Sequence, residues 1–200
     1  RYWRDWSSDV CSSDLLCFED VAAGYCFVSY LAAQEPRGAT KHSVTEELVS
    51  GLMRRRKELG LGGVRVVLEA DDPELGADAR ERRKRLSRIR LFECTAPIWG
   101  ARFRVVNVRY LQPKLDWRGN DGERELLLCY AAPGIDLALP RSEAAAILDW
   151  TYTQLYGDDI YSDPVTRAAY GKYIEDLRDQ AVAALADPVS LLRSHEVGSR

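Results

Sequence analysis

Hydrophobic positions after Leu16 follow two different periods along the chain. The run 21–31 is apolar, aromatic and β-branched, which predicts a strand with a bulge at Gly24. The stretch 34–40 that follows it contains Pro36 and Gly38, and these residues are typical of a loop. A strand is therefore expected to lead through a short loop into the next element.

That next element shows the spacing of a helix. Val44, Leu48 and Leu52 fall on one helical face, and Ser43 and Glu46 have the spacing of a capping box. The pattern predicts a helix that begins at Ser43 and ends at Gly60.

Strand patterns and helix patterns also occur along the rest of the chain. Short apolar runs predict three further strands, at 64–70, 103–111 and 125–131. Amphipathic patterns predict three further helices, at 77–92, 142–156 and 163–185, with Asp78 as an N-cap and Pro164 in a first turn. A short last turn is expected after Pro188.

This order of elements predicts an α/β fold. A strand–helix–strand unit requires a parallel strand pair with a right-handed crossover, while the last two strands, joined by a polar turn, predict an antiparallel hairpin. We expect a mixed sheet with flanking helices over residues 16–140 and a helical C-terminal appendix over residues 141–200.

Residues 1–15, RYWRDWSSDVCSSDL, fit neither period. They have no apolar segment of the kind found in signal peptides. One in-frame back-translation of the whole stretch resembles an indexed sequencing-library adapter and its primer tail. We therefore interpret residues 1–15 as an adapter artefact. We expect the natural protein to begin before Leu16, with its earlier residues missing from this chain.

Composition and charge narrow the classes of function. The chain has 200 residues, 46% hydrophobic and 30% charged, with a formal net charge of −3. This balance gives no general attraction to nucleic acid or to an anionic membrane, and no apolar run is long enough to span a bilayer. Cys17, Cys26, Cys94 and Cys129 form no CxxC pair and have no histidine cluster beside them. We expect reduced cysteines, a cytoplasmic location and no metal site.

The segment PRGATKHS, residues 36–43, lies at the predicted helix start, where unpaired N–H groups and the helix dipole favour a pyrophosphate. Arg37 and Gly38 resemble part of the pyrophosphate loop of the GNAT family, the acetyl-CoA-dependent N-acyltransferases. The strings LEADDP at 68–73 and VRYLQP at 108–113 are similar to a subgroup of that family. The resemblance covers residues 22–131, the C-terminal half of a GNAT domain, in element order and in these strings.

The resemblance implies an acyl-CoA N-acyltransferase-like fold, acetyl-CoA as acetyl donor, and a small-molecule or peptide amine as acceptor. It implies Glu69 and Tyr30 as catalytic residues, with Glu69 binding or deprotonating the amine. The cofactor-binding residues that it implies are Leu31, Arg37, Gly38, Ala39, Thr40, Lys41, His42 and Ser43.

Three positions depart from the family's pattern. Thr40 and His42 stand where the family has loop glycines, and Glu93 stands where it often has a tyrosine that acts as general acid. A non-catalytic GNAT-like interaction or regulatory module is therefore an alternative reading.

Two further hypotheses concern partners. The basic helix face at 80–90 suggests an RNA-binding or acidic-protein-binding module as a third reading, although it has no interleaved aromatic residues. An unpaired edge at 21–31 could pair with a second copy of the chain, which would give a homodimer.

Overall fold

A single mixed sheet with helices on both faces forms the body of the protein in the computed structural model. The structure describes residues 2–8, 11–32, 41–61, 63, 65–114, 122–157 and 161–197. The α/β expectation is confirmed at this level.

The sheet contains nine strands within the described residues. They are β1 (Tyr2–Ser8), β2 (Cys11–Asp20), β3 (Tyr25–Ala32), β4 (Arg65–Asp71), β5 (Arg102–Val106), β6 (Tyr110–Gln112), β7 (Arg124–Ala132), β8 (Ala138–Leu139) and β9 (Val189–Leu192). The order across the sheet is β1-β2-β3-β4-β7-β5-β9-β8, with β6 also paired to β7.

Four α-helices flank the strands in the described part of the chain. They are α1 (Lys41–Glu58), α2 (Ala79–Thr95), α3 (Arg141–Trp150) and α4 (Pro164–Ala183). A π-helical turn, Thr151–Leu155, continues α3, and 3₁₀ turns occur at Pro73–Leu75 and Ala96–Trp99.

The predicted crossover is present. β3 and β4 form the parallel pair of the described sheet, and α1 lies between them in the chain. The predicted antiparallel hairpin is also present, because β5 and β6 both pair antiparallel with β7. The single strand expected at 103–111 is instead two strands, interrupted where Val108 donates its N–H to the nearby Val106 carbonyl.

The strand expected at 21–31 begins later than predicted. Residues 21–24 form the turn of a β2–β3 hairpin, in which Gly24 has a φ of +74° and donates its N–H to the Asp20 carbonyl at 2.9 Å. Gly24 therefore serves a turn rather than a bulge, because glycine adopts positive φ at little cost. The expectation of an open edge at 21–31 is wrong, since β3 pairs with β2 on one side and β4 on the other.

Residues 2–8 and 11–15, for which the side-chain pattern predicted no element, are strands in the structure. An antiparallel ladder is made by backbone groups and does not require an alternating pattern of side chains. The adapter origin of residues 1–15 stays a prediction, which a read of the source DNA upstream of the Leu16 codon will check.

Helix boundaries follow most of the predicted signals. Asp78 and Asp163 cap α2 and α4 by accepting the Glu81 and Thr166 N–H groups, each at 2.8 Å. The start of α1 was predicted wrongly, because the helix begins at Lys41 and Ser43 lies within its first turn.

The segment 141–200 is not helical throughout. After α4 the chain forms β9, where a last turn was expected, and β9 pairs with β5 and β8. The alternating apolar positions of this short strand, Val189 and Leu191, are buried in the same core as α3 and α4.

The core has two layers, one on each face of the sheet. Helices α1 and α2 cover one face, where Val49, Leu52 and Ile89 are buried. Helices α3 and α4 cover the other, where Ile147 and Tyr170 are buried. Cys26 and Cys129 are buried as small apolar side chains, as predicted.

A buried ion pair joins α1 to the sheet. The Arg56 guanidinium contacts the Glu19 carboxylate on β2, and each side chain is only 7% exposed. Arg56 lies in the basic last turn of α1, where cations suit the helix dipole, and this contact shows that it also has a packing role. Burial lowers the pKa of Arg56.

We predict that Arg56→Ala lowers the free energy of unfolding by roughly 3–5 kcal/mol, because Glu19 is then left charged and unpaired in the interior. The apolar double variant Glu19→Leu/Arg56→Met should recover most of this loss. Urea unfolding of the three proteins measures both quantities. A double variant no more stable than Arg56→Ala would contradict this account.

Candidate functional site

The parallel strands β3 and β4 separate from each other partway along their length. Their pairing runs from Tyr25–Arg65 to Val28–Leu68. Beyond this point the backbone of β3 at 30–32 pairs only with β2, and β4 at 69–71 pairs only with β7. An opening between two strand edges therefore lies at the carboxyl ends of a parallel pair, where open α/β sheets commonly bind ligands.

A cavity of about 510 Å³ occupies this opening. Phe27, Val28 and Ser29 of β3 line one side. Glu69, Ala70 and Asp71 of β4 line the other, and the remaining lining residues are Gln112, Arg124, Leu126, Leu155, Tyr156 and Tyr170. Polar and apolar groups contribute about equally to the walls, so the cavity can contact both the hydrogen-bonding groups and the methylene groups of a ligand.

Glu69 is the buried carboxylate of this cavity. Its Oε1 accepts hydrogen bonds from the Tyr110 hydroxyl and, at 2.7 Å, from the Tyr156 hydroxyl. Its Oε2 accepts one from the Gln112 side-chain amide at 2.8 Å. The same amide also donates to the Tyr156 hydroxyl oxygen at 3.1 Å. The four side chains therefore form one hydrogen-bonded cluster.

Strand periodicity explains why these groups meet. Glu69 on β4 pairs with Leu128 of β7. Strand β7 also pairs with β6, which carries Tyr110 and Gln112. Tyr110 and Gln112 are two residues apart, so their side chains lie on the same face of the sheet. Tyr156 comes from the helical layer that covers this face of the sheet, directly after the π-helical turn that continues α3.

Burial raises the pKa of Glu69, and the hydrogen bonds from Tyr110, Tyr156 and Gln112 oppose this rise. Burial likewise raises the pKa values of Tyr110 and Tyr156, and the charge of Glu69 raises both further. The two hydroxyls therefore remain protonated donors at neutral pH. A carboxylate with a raised pKa is a better proton acceptor than an ordinary surface glutamate.

Asp71 at the end of β4 forms ion pairs on two sides. Its Oδ2 accepts from Arg88 of α2 and its Oδ1 from Arg124 of β7, both at 3.1 Å. The next residue, Asp72, instead caps the 3₁₀ turn by accepting the Glu74 N–H at 2.9 Å.

Of the residues implied by the GNAT resemblance, Glu69 is the one whose side chain the structure places in the cavity. Tyr30 and Leu31 belong to β3, beside the opening. Lys41, His42 and Ser43 are in the first turn of α1. The side chains of these five residues are not among those that the structure describes. Arg37, Gly38, Ala39 and Thr40 lie outside the described residues.

Glu93 is engaged elsewhere. Its carboxylate accepts a hydrogen bond from the hydroxyl of Ser194, a buried residue just beyond β9, and it is not part of the cavity lining. The structure therefore assigns Glu93 a contact between α2 and the C-terminal segment.

Sequence reasoning missed Tyr110, Gln112 and Tyr156 as site residues. Tyr110 is fully buried, and its hydroxyl donates a hydrogen bond to Glu69. The spacing of Tyr110 and Gln112 in VRYLQP was the available signal, since it places both on one strand face. Tyr156 gave no such signal, because its contact depends on how α3 packs on the sheet.

Comparison of the chain with family models, with curated proteins and with solved structures finds no match. No cluster of three metal-ligating side chains occurs among the residues that the structure describes. Within the same residues, none of the helices combines the length and the apolar character that a membrane span requires.

We predict that Glu69 makes stability pH-dependent. Its pKa is higher in the folded state than the ordinary value of 4.5, so protonation favours the folded protein. The stabilisation is full below the unfolded pKa and is lost as pH rises through the folded pKa, with a limiting slope of about 1.4 kcal/mol per pH unit.

Urea unfolding of the wild type and Glu69→Gln between acidic and neutral pH tests this prediction. The difference in unfolding free energy, wild type minus variant, should fall as pH rises and then become constant. A difference that is independent of pH, or that grows with pH, would show that burial does not raise the pKa of Glu69.

Proposed function

We propose that the chain is the C-terminal part of a GNAT-type N-acetyltransferase that transfers an acetyl group from acetyl-CoA to an amine, with Glu69 as proton acceptor. The observation that supports the proposal best is the separation of β3 from β4 beside Glu69. It creates an opening that contains a buried base and is flanked by strand edges.

The order of elements also supports this proposal. A strand, a helix and a parallel strand are followed by a second helix and by antiparallel strands, which is the order that the resemblance implies. In addition, β7 lies between β4 and β5, so the last strand of the unit inserts into the sheet. The strings that suggested the family, LEADDP and VRYLQP, supply Glu69, Tyr110 and Gln112 to one cluster.

The opening fits the amide-rich arm of CoA. The β3 backbone at 30–32 and the β4 backbone at 69–71 do not pair with each other, so each edge can offer N–H and C=O groups to an extended ligand. The chain leaves β3 toward residues 36–43 and then enters α1, whose N-terminal N–H groups suit phosphate.

Bound acetyl-CoA supplies an acetyl thioester to the site. Glu69 Oε2 has one described hydrogen-bond donor, Gln112, and a carboxylate oxygen can accept two. The second lone pair of this oxygen can receive a proton from the amine as the new C–N bond replaces the C–S bond, and CoA leaves as its thiolate, which then takes a proton from solvent. Tyr110, Tyr156 and Gln112 hold the carboxylate in one orientation, which is a positioning role.

Glu69→Gln should lower the turnover of acetyl transfer by roughly 100- to 10,000-fold, the usual contribution of a general base. Acetyl-CoA binding should change little, since the substitution leaves the strand backbone intact. The measurements are thiol release with a panel of amines and isothermal titration calorimetry with acetyl-CoA.

Glu143→Gln is the matched control, because Glu143 also accepts a tyrosine hydroxyl, from Tyr130 at 3.1 Å, yet lies outside this cavity. Its activity should stay near that of the wild type. Binding of acetyl-CoA without any acetyl transfer would favour the non-catalytic module, and the absence of both would overturn the proposal.

A further inference from the structure

Arg124 lines the same cavity as Glu69 and has unused hydrogen-bonding capacity. A guanidinium carries five N–H donors, and within the described residues the Arg124 side chain uses one of them, on Asp71, while remaining 66% exposed. Arg124 lies opposite Gln112 in the β6–β7 ladder, and Gln112 in turn bonds Glu69. The cavity therefore has a buried carboxylate inside and an exposed guanidinium near its mouth.

Asp71 and its two arginine partners form a charged trio at this mouth, and the charge of Arg124 opposes the rise that burial causes in the pKa of Glu69. Asp71 is shared between Arg88 and Arg124, so the trio carries two positive charges and one negative. Arg109 and Glu125 pair with each other at 3.6 Å and add no net charge. An anion at the mouth would meet a guanidinium that is held in place by Asp71 but not saturated by it.

Strand geometry sets the spacing between Glu69 and Asp71, the ion-pair partner of Arg124. Glu69 and Asp71 are two residues apart on β4, so their Cα atoms are about 7 Å apart and their side chains share a face. A ligand that reaches both charged centres, Glu69 and Arg124, needs its amine and its anionic group at opposite ends of an extended chain. The apolar walls at Leu126 and Leu155 suit methylene groups between these ends.

We propose that the acceptor amine also carries an anionic group, and that Arg124 binds this group while Glu69 receives the amine. The proposal rests on the proposed acetyl transfer for the role of the amine. The substrate class is an ω-amino acid or another amine with a remote carboxylate. An α-amino acid, whose two charged groups are adjacent, is too short to reach both centres.

Arg124 can be substituted without leaving its ion-pair partner Asp71 unpaired. Asp71 keeps its bond to Arg88 when Arg124 is removed, so no carboxylate is left unpaired. Arg109→Ala is the matched control, because Arg109 is 71% exposed, pairs with Glu125 of β7, the strand that carries Arg124, and does not line the cavity.

The experiment compares three amines, which are ε-aminocaproate, hexylamine and glycine. Calorimetry measures binding in the presence of CoA, and thiol release from acetyl-CoA measures acetyl transfer. The wild type and Arg109→Ala should prefer ε-aminocaproate over hexylamine by about tenfold to a hundredfold, the range for a hydrogen bond between charged groups. Arg124→Ala should lose this preference, and Arg124→Lys should retain part of it.

The two proposals fail in different ways. Equal use of hexylamine and ε-aminocaproate by the wild type, or a preference that survives in Arg124→Ala, overturns the role of Arg124 and leaves the acetyl transfer standing. If no amine releases thiol, the acetyl transfer fails, and calorimetry with ε-aminocaproate still decides the role of Arg124. A preference for glycine overturns the remote-anion geometry.

Discussion

Burying the carboxylate of Glu69 is the constraint on which the site depends. A charge removed from water is costly unless hydrogen bonds replace its hydration. Here three donors do so, Tyr110 and Gln112 from β6 and Tyr156 from the end of α3. The cluster thus fixes the packing of the α3 layer against the sheet at this point. Burial still raises the pKa of Glu69 above its ordinary value, which makes the carboxylate a better proton acceptor than a solvated glutamate.

The cavity beside Glu69 results from the branching of the sheet. β3 stays with β2 and β4 stays with β7, so the parallel pair opens after Val28 and Leu68 without either strand ending. Unpaired edges are normally a liability, but here they face a cavity instead of a second chain. The same divergence gives room for a ligand and leaves backbone groups to bind it. Helices α3 and α4 close the cavity on one side through Leu155, Tyr156 and Tyr170.

Periodic patterns predicted the elements better than their ends. Local signals, which act within a few residues, account for the parallel pair, the crossover helix, the Asp78 and Asp163 caps and the β5–β7 pairing. The β1–β2 ladder and β9 depend on backbone pairing with distant strands, so side-chain periodicity did not reveal them. Glu69 was predicted from its place in LEADDP. Tyr156 lies 87 residues away and joins the site only through tertiary packing.

The most direct test of this account is a carbon-13 titration of the Glu69 side-chain carboxyl, in the wild type and in Tyr156→Phe. The account predicts a pKa above the ordinary 4.5 in the wild type. It predicts a further rise in Tyr156→Phe, because the charged form loses a donor while burial remains. Two results would contradict the buried, hydrogen-bonded base from which the proposed chemistry is derived. One is a wild-type carboxyl whose pKa is near the ordinary value. The other is a pKa that does not change when the Tyr156 hydroxyl is removed.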